Sequence, residues 1–304
     1  MIIRPRPHGW QLLYILRGSI VPAIAPKVLA IGVLAVLVCA FAGYWHPGAG
    51  QGLAVVPFSL LGLVLSIFLS FRNNACHERW WEGRRLWGQL LFESRGLARL
   101  AASVLADQPA LRRRTAYLTV AFAHALAARL RQNDGWQAVQ PWLQADDADL
   151  RSHPNLPDAL LGRIGATLAE PLQAGRLDPI LYVQLDQRLQ ALASVQAGCE
   201  RIASTPLPFA YTLLLHRCAW LFCVLLPFGL ASALGWATPL LSMLLAYAFF
   251  GLDQLGEEME DPFGLQPNDL PLAALVRTLE IDQLAAIGQQ PLPAPLQPQG
   301  YLLQ

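Results

Sequence analysis

Residues Val56 to Leu90 read VPFSLLGLVLSIFLSFRNNACHERWWEGRRLWGQL, and this stretch decides the fold. Up to Phe71 it contains no charged residue, whereas from Arg72 onward it is basic and rich in tryptophan. An uncharged apolar run that gives way to basic and aromatic residues is typical of a chain leaving a bilayer. We therefore predict that a membrane-spanning helix ends near Arg72.

The composition of the whole chain agrees with a membrane protein. Of the 304 residues 54% are hydrophobic and only 14% are charged, and the mean hydropathy is +0.37. These values are too apolar for an ordinary soluble domain. The formal net charge of +1 argues against a nucleic-acid partner, which would require a strongly basic surface.

Two long uncharged runs predict four membrane spans. Residues 28–71 lack Asp, Glu, Lys and Arg, and this run is divided by a turn-rich patch at 43–48. Residues 218–252 are also uncharged and divide at 235–239. Each piece is close to the roughly 20 apolar residues that a bilayer requires, so we predict two transmembrane hairpins.

The positions of the basic residues predict the orientation of these hairpins. Arg and Lys cluster before the first span and directly after the second, while the two short loops between spans have none. By the positive-inside rule, both termini and the long middle segment are cytoplasmic. We expect a multi-pass protein of the inner cell membrane, with Trp45 and Trp236 at its outer interface.

The remaining segments are predicted to be mainly helical. Apolar residues of the middle segment recur every three or four positions, for example Leu118, Phe122 and Leu126. The predicted organisation is all-α, with a cytoplasmic or interfacial segment 1–27, a first transmembrane hairpin 28–71, a cytoplasmic helical domain 72–207, a second hairpin 208–255, an acidic and helical cytoplasmic segment 256–290 and a proline-rich tail 291–304, extended or disordered.

An apolar stripe runs along the second span. Leu63, Ile67 and Phe71 are four residues apart, so they stack on one helix face over roughly 12 Å. Spacing alone leaves two interpretations. The stripe could pack against a neighbouring helix or lipid, or several copies of the helix could surround an axis and form an apolar constriction.

Several motifs, in a fixed order along almost the whole chain, resemble those of the bestrophin family of membrane channels, in particular its bacterial branch. They are Arg17-Gly18-Ser19, Arg72-Asn73-Asn74, Arg79-Trp80-Trp81-Glu82, Leu86-Trp87-Gly88, Asp178-Pro179-Ile180, Gly198-Cys199-Glu200-Arg201, Pro208 to Thr212 and Asp261-Pro262-Phe263-Gly264.

This resemblance implies a homopentamer, in which five copies surround one axial pore in a lipid bilayer. The second span of the family supplies a neck of three apolar rings, which correspond here to Leu63, Ile67 and Phe71. A second constriction of the family, at the cytoplasmic exit, follows an Asp-Pro pair and corresponds to Ile180. Without the resemblance, Ile180 would be interpreted as an ordinary core residue.

The resemblance also bears on ions. Animal members hold calcium in an acidic run after the turn that corresponds to Asp261-Pro262-Phe263-Gly264, but residues 265–269 keep only Asp269 as a carboxylate. Calcium requires about six to eight oxygen ligands, so we do not expect activation by calcium. We also expect no other metal and no cofactor. Likeness to bacterial members implies a channel for monovalent cations such as sodium, with Asp178 as a possible selectivity ring. Animal members pass anions, so a chloride channel remains an alternative.

The sequence offers no set of catalytic residues. His77-Glu78 resembles the start of a zinc-protease motif, but the position of the second histidine is Trp81. We therefore predict that the protein is not an enzyme, and a non-conducting membrane scaffold is the competing class. His216 and Arg217 lie near the predicted cytoplasmic end of a span, where charged side chains reach the interface at little cost, although ionisable residues within spans also suggest function.

Overall fold

The computed structural model describes residues 1–4, 8–16, 18–45 and 55–304. This part of the chain is helical, with only isolated β-bridges besides, so the all-α prediction is confirmed. Its α-helices are α1 (Val21–Trp45), α2 (Val55–Val104), α3 (Pro109–Leu130), α4 (Trp136–Val139), α5 (Leu156–Gln173), α6 (Pro179–Ser204), α7 (Phe209–Leu234), α8 (Thr238–Glu260) and α9 (Leu272–Ala286).

The helices form two compact units. The membrane unit comprises Arg4–Trp80 and Pro206–Asp261, and the helical unit comprises Met1–Ile3, Trp81–Thr205 and Pro262–Gln304. The helix α2 is unbroken over 50 residues and contributes to both units. Its length of about 75 Å is more than twice the roughly 30 Å hydrocarbon thickness of a bilayer.

Three stretches of the described residues are long and apolar enough to cross a membrane: Val21–Phe41, Pro57–Val104 and Phe209–Glu260. The last contains both α7 and α8, which meet at a short 3-10 turn, Gly235–Ala237, within the predicted break at 235–239. Of the other predicted break, 43–48, residues 46–48 lie outside the described residues, as does the side chain of Trp45.

Two helix ends differ from the sequence-based boundaries. The helix α1 begins at Val21 rather than near residue 28, because Pro22 in the first turn loses no intrahelical hydrogen bond there. The helix α8 continues to Glu260, beyond the predicted end of the second hairpin at residue 255. Both helices therefore extend past the uncharged runs, 28–71 and 218–252, that the sequence analysis used to predict the spans.

The core of the membrane unit is apolar and tightly packed. It is formed by side chains from four helices, such as Ile24 of α1, Leu65 of α2, Phe222 of α7 and Phe250 of α8. At Gly229 of α7, an added Cβ would lie 2.4 Å from the ring of Phe58. A larger residue at this position would therefore displace the Phe58 ring, and the glycine lets α7 and α2 pack closely.

A buried carboxylate organises the helical unit. Asp147, which is fully buried, accepts two hydrogen bonds of 2.6 Å from the guanidinium of Arg114. Its Oδ1 also lies 3.1 Å from Arg163. A buried charge needs such compensation, so Asp147 ties the segment Ala145–Ser152 to α3 and α5.

The proline-rich tail is extended and paired with the N-terminal residues. The backbone N–H of Ile3 donates to the carbonyl of Tyr301 at 2.8 Å, and the N–H of Leu303 donates to the carbonyl of Met1 at 2.9 Å. These bonds join the two ends of the described chain within the helical unit.

A partly buried histidine in the helical unit, His124, generates a prediction on pH. Burial, with a smaller contribution from Arg277, lowers the pKa of His124 to about 4 from 6.5. The unfolded state therefore binds more protons below pH 6.5, so stability is complete above that pH and falls as the pH drops towards 4. We expect the loss at pH 5 to be up to about 2 kcal/mol. His124→Phe, which keeps the stacking on Trp142, should reduce this loss.

The measurement is the unfolding temperature of the purified protein between pH 7.5 and 4.5. His77→Phe is the matched control, because His77 is exposed and its removal should leave the pH dependence unchanged. An identical acid sensitivity in the wild type and His124→Phe would show that another group is responsible.

Candidate ion pathway

The three residues predicted to form a pore neck lie on an exposed face of α2. In the single subunit the exposed fractions of Leu63, Ile67 and Phe71 are 57%, 45% and 60%. Apolar side chains at this spacing form one continuous strip. The subunit itself does not cover this strip, so its partner in a membrane must be lipid or another subunit.

The opposite face of α2 is buried within the membrane unit. Leu65, Leu69, Arg72 and Cys76 are each 3% exposed or less, and successive members are three or four residues apart. At about 100° per residue, the centre of this buried face lies roughly opposite the centre of the strip. One face of α2 is therefore packed within its own subunit, and the opposite face is available to contact lipid or another subunit.

Ile180 lies at the start of α6 in the helical unit. Asp178 is the N-cap residue, and its carboxylate accepts the backbone N–H of Ile180 at 2.7 Å. Pro179 occupies the first turn, where its missing N–H costs nothing. Ile180 is 74% exposed, so the alternative interpretation as a core residue of the subunit is wrong.

Two opposite charges lie beside Ile180. Asp178 and Arg176 are both exposed, and they are separated by the buried Leu177. The carboxylate of Asp178 caps α6 by accepting the backbone N–H of Ile180, as Asp commonly does at a helix start. The sequence analysis identified Asp178 and did not identify Arg176.

The membrane unit contains a buried ion pair directly after the predicted neck residues. The guanidinium of Arg72 lies 2.7 Å from Oδ1 of Asp253, and both residues are at most 3% exposed. Nδ1 of His216 lies 2.7 Å from the other carboxylate oxygen. Oε2 of Glu260 is 3.7 Å from Arg72. This network joins α2, α7 and α8.

Sequence reasoning did not find Asp253, and it placed His216 at the interface without a partner. A signal was nevertheless present. Arg72 is the first charged residue after the uncharged run 28–71, and Asp253 is the first after 218–252. Two spans that leave the membrane on the same side bring such residues to the same depth, where pairing reduces the cost of burial.

The residues that correspond to the calcium-binding run of animal bestrophins make a turn. Asp269 accepts the backbone N–H of Gln266 at 2.6 Å and is 3% exposed. Over the described ranges no group of three or more His, Cys, Asp or Glu residues could hold a metal ion.

Together, the apolar helices and the buried ion pair between them define a helical membrane protein. Comparison with known proteins identifies the family: the family described as bacterial/fungal bestrophin protein matches residues 1–285. The chain belongs to the bestrophin family.

Relatives match the chain over nearly its whole length. The voltage-dependent anion channel-forming protein mll4386 of Mesorhizobium japonicum is 47% identical, over 96% of this chain and 94% of the relative. The voltage-dependent anion channel-forming protein YneE of Escherichia coli is 40% identical, over 98% of each chain. A crystal structure of a bacterial bestrophin homologue from Klebsiella pneumoniae is 38% identical, with a TM-score of 0.85 over 88% of this chain and 100% of that one.

The buried ion pair generates a prediction on stability. Asp253→Asn leaves the Arg72 charge buried with a hydrogen bond to the backbone carbonyl of residue 253 and with Glu260, 3.7 Å away, as its remaining carboxylate. We expect a loss of about 3–5 kcal/mol, because breaking a buried pair exposes the full cost of an uncompensated charge. Replacing both partners, as in Arg72→Met with Asp253→Leu, should cost less than Asp253→Asn alone. Unfolding in detergent, followed by circular dichroism, measures these differences.

An exposed ion pair provides the control. Arg95 and Asp282 are 2.8 Å apart with side chains 48% and 29% exposed, so Arg95→Gln should cost less than about 1 kcal/mol. Equal losses for Asp253→Asn and Arg95→Gln would contradict the proposed importance of the buried pair.

Proposed function

We propose that the chain forms a homopentameric ion channel that lets small monovalent ions pass down their electrochemical gradient. The observation that carries this proposal is the uncovered apolar strip of Leu63, Ile67 and Phe71 on α2. Five copies of this strip around an axis would form three successive apolar rings. Such rings gate by excluding water from the pore.

Ile180 is proposed as a separate cytoplasmic aperture. Its side chain is 74% exposed at the capped start of α6, so it is free to point into an ion path. The cap fixes the backbone at this position. A ring of five isoleucines would therefore form a narrow apolar constriction whose size depends mainly on the side chain.

The proposed topology has four spans per subunit, with both termini on the cytoplasmic side of the inner membrane. The spans are α1, the first part of α2, α7 and α8, and they correspond to the hairpins 28–71 and 208–255. The basic residues that follow Phe71 and precede Val28 support this orientation. Segments 1–27, 72–207, 256–290 and 291–304 are assigned to the cytoplasmic side.

Two observations favour opposite ion selectivities. The names of the curated relatives describe anion channels, which supports the anion alternative and gives no support to the expected preference for sodium. The exposed carboxylate of Asp178 beside Ile180 favours cations. The apolar rings carry no charge, so the flanking charges, pore geometry and dipoles must set the preference.

The first test is bilayer current from the purified protein under a NaCl gradient. Ile180→Ala should raise the conductance about two-fold or more, because it widens the apolar ring and lowers the barrier to wetting. Simultaneous replacement of Leu63, Ile67 and Phe71 by alanine should also raise it. Leu252→Ala is the control, because Leu252 is an exposed apolar residue of α8 outside the proposed path.

The same recordings separate the competing functions. A pore requires current from an intact oligomer, and size-exclusion chromatography with light scattering verifies its assembly. Absence of current from the wild type and from the widened variants would favour the non-conducting scaffold. The reversal potential, near that of chloride or near that of sodium, decides the sign of selectivity.

The two charges beside the aperture give a paired prediction. Asp178→Asn removes a negative charge from each subunit and should shift the reversal potential towards that of chloride. Arg176→Gln removes a positive charge and should shift it towards that of sodium. We expect changes of about two- to five-fold in relative permeability, because rings of charge act at short range. Unchanged reversal potentials in both variants would exclude these residues from the ion path.

A further inference from the structure

A cleft of about 400 Å³ lies in the membrane unit beside the buried ion pair. The beginning of α7, the C-terminal part of α8 and Arg72 of α2 surround it. Its apolar lining includes Leu207, Phe209 and Leu213, which we call the apolar wall. A pocket that combines an apolar wall with a few polar groups is suited to a small amphiphilic ligand.

The fixed charges of the cleft are predominantly negative. Arg72 and Asp253 compensate each other at 2.7 Å. Glu257 and Glu260 also line the cleft, and Glu260 is 3.7 Å from Arg72, beyond the length of a good hydrogen bond. Three carboxylates therefore share the cleft with one guanidinium, and the excess of carboxylate attracts a cationic group.

Two buried polar atoms of the lining residues have no protein partner in the described part of the chain. They are Nε of Arg72 and Oγ1 of Thr212. Arg72 is 1% exposed. Arg72 Nε carries a proton, and the threonine hydroxyl can donate one. A buried donor without a partner costs about 1–3 kcal/mol, so an oxygen acceptor would be favoured next to them.

We propose that this cleft binds a phosphoethanolamine group, a zwitterion with an ammonium and a phosphate. The ammonium donates to Glu257 and Glu260, and phosphate oxygens accept from Arg72 Nε and the Thr212 hydroxyl. A lipid chain attached to the phosphate lies along the apolar wall. The proposal rests on the proposed function in placing the cleft at the cytoplasmic membrane surface, where phospholipid head groups are found.

The position of Arg72 gives this binding a consequence for the channel. Arg72 follows Phe71, the last proposed neck residue, on the same helix. A ligand that engages Arg72 together with α7 and α8 stabilises the position of this helix against them. Occupancy of the cleft therefore favours one arrangement of the neck.

The test measures lipid retention by native mass spectrometry. The intact oligomer is equilibrated with equal amounts of phosphatidylethanolamine, phosphatidylcholine and phosphatidylglycerol. We expect about ten-fold preferential retention of phosphatidylethanolamine, because choline has no N–H to donate and phosphatidylglycerol has no ammonium. Thr212→Val and Glu257→Gln should each reduce the preference about five-fold.

Glu78→Gln is the control, because Glu78 is an exposed residue of α2 that does not line the cleft. It should retain the lipid preference. Thr212→Val and Glu257→Gln act on different groups of the ligand, so misassembly of one variant leaves the other as a test. Equal reductions by Glu78→Gln and by the cleft variants would overturn the proposal.

A second arm identifies the source of the ligand. Soluble O-phosphoethanolamine is added to the protein in phosphatidylcholine nanodiscs, and the unfolding temperature is measured. Stabilisation that Glu257→Gln abolishes, without preferential lipid retention, assigns the site to the free zwitterion. Preferential retention of phosphatidylethanolamine assigns it to the membrane lipid. Absence of both effects overturns the proposal.

These outcomes are separable from those of the proposed function, since neither lipid retention nor the unfolding temperature requires current. A conducting protein without either effect contradicts only the cleft proposal. Specific retention by a protein that passes no current supports the cleft and contradicts the channel.

Discussion

The contact between Arg72 and Asp253 is the constraint on which the membrane unit depends. A guanidinium and a carboxylate, both nearly fully buried, are 2.7 Å apart where the uncharged parts of α2 and α8 end. Each charge alone would be expensive in these surroundings, so α2 and α8 are stable together only in the register that pairs them. The pair fixes the position of α2, and hence the direction of the face that carries Leu63, Ile67 and Phe71.

The two faces of α2 have different roles because their environments differ. One face contributes Leu65 and Leu69 to a packed core, where close contacts such as that between Gly229 and Phe58 leave little space. The other face has apolar side chains that its own subunit leaves uncovered. A helix held firmly along one side is a suitable support for the proposed apolar rings, whose members would have to keep a defined distance from one another.

Much of this arrangement could be predicted from the sequence, because it follows from local patterns. The uncharged runs predicted the apolar helices, and the four-residue spacing predicted the strip on α2. The pairing of Asp253 with Arg72 and His216 depends on which helices become neighbours, and periodicity does not contain that information. The extension of α8 to Glu260 and the pairing of Ile3 with Tyr301 likewise depend on tertiary contacts, which override local boundaries.

At the start of α6, different residues set the position of the backbone and the chemical character of the exposed side chain. The carboxylate of Asp178 and the ring of Pro179 determine where the helix begins, whereas the side chain of Ile180 takes no part in the subunit's core. The size and polarity of residue 180 can therefore change during evolution with little effect on folding. In the proposed channel, a single codon at this position would let related proteins differ in the size of their aperture, while the scaffold that holds it stays the same.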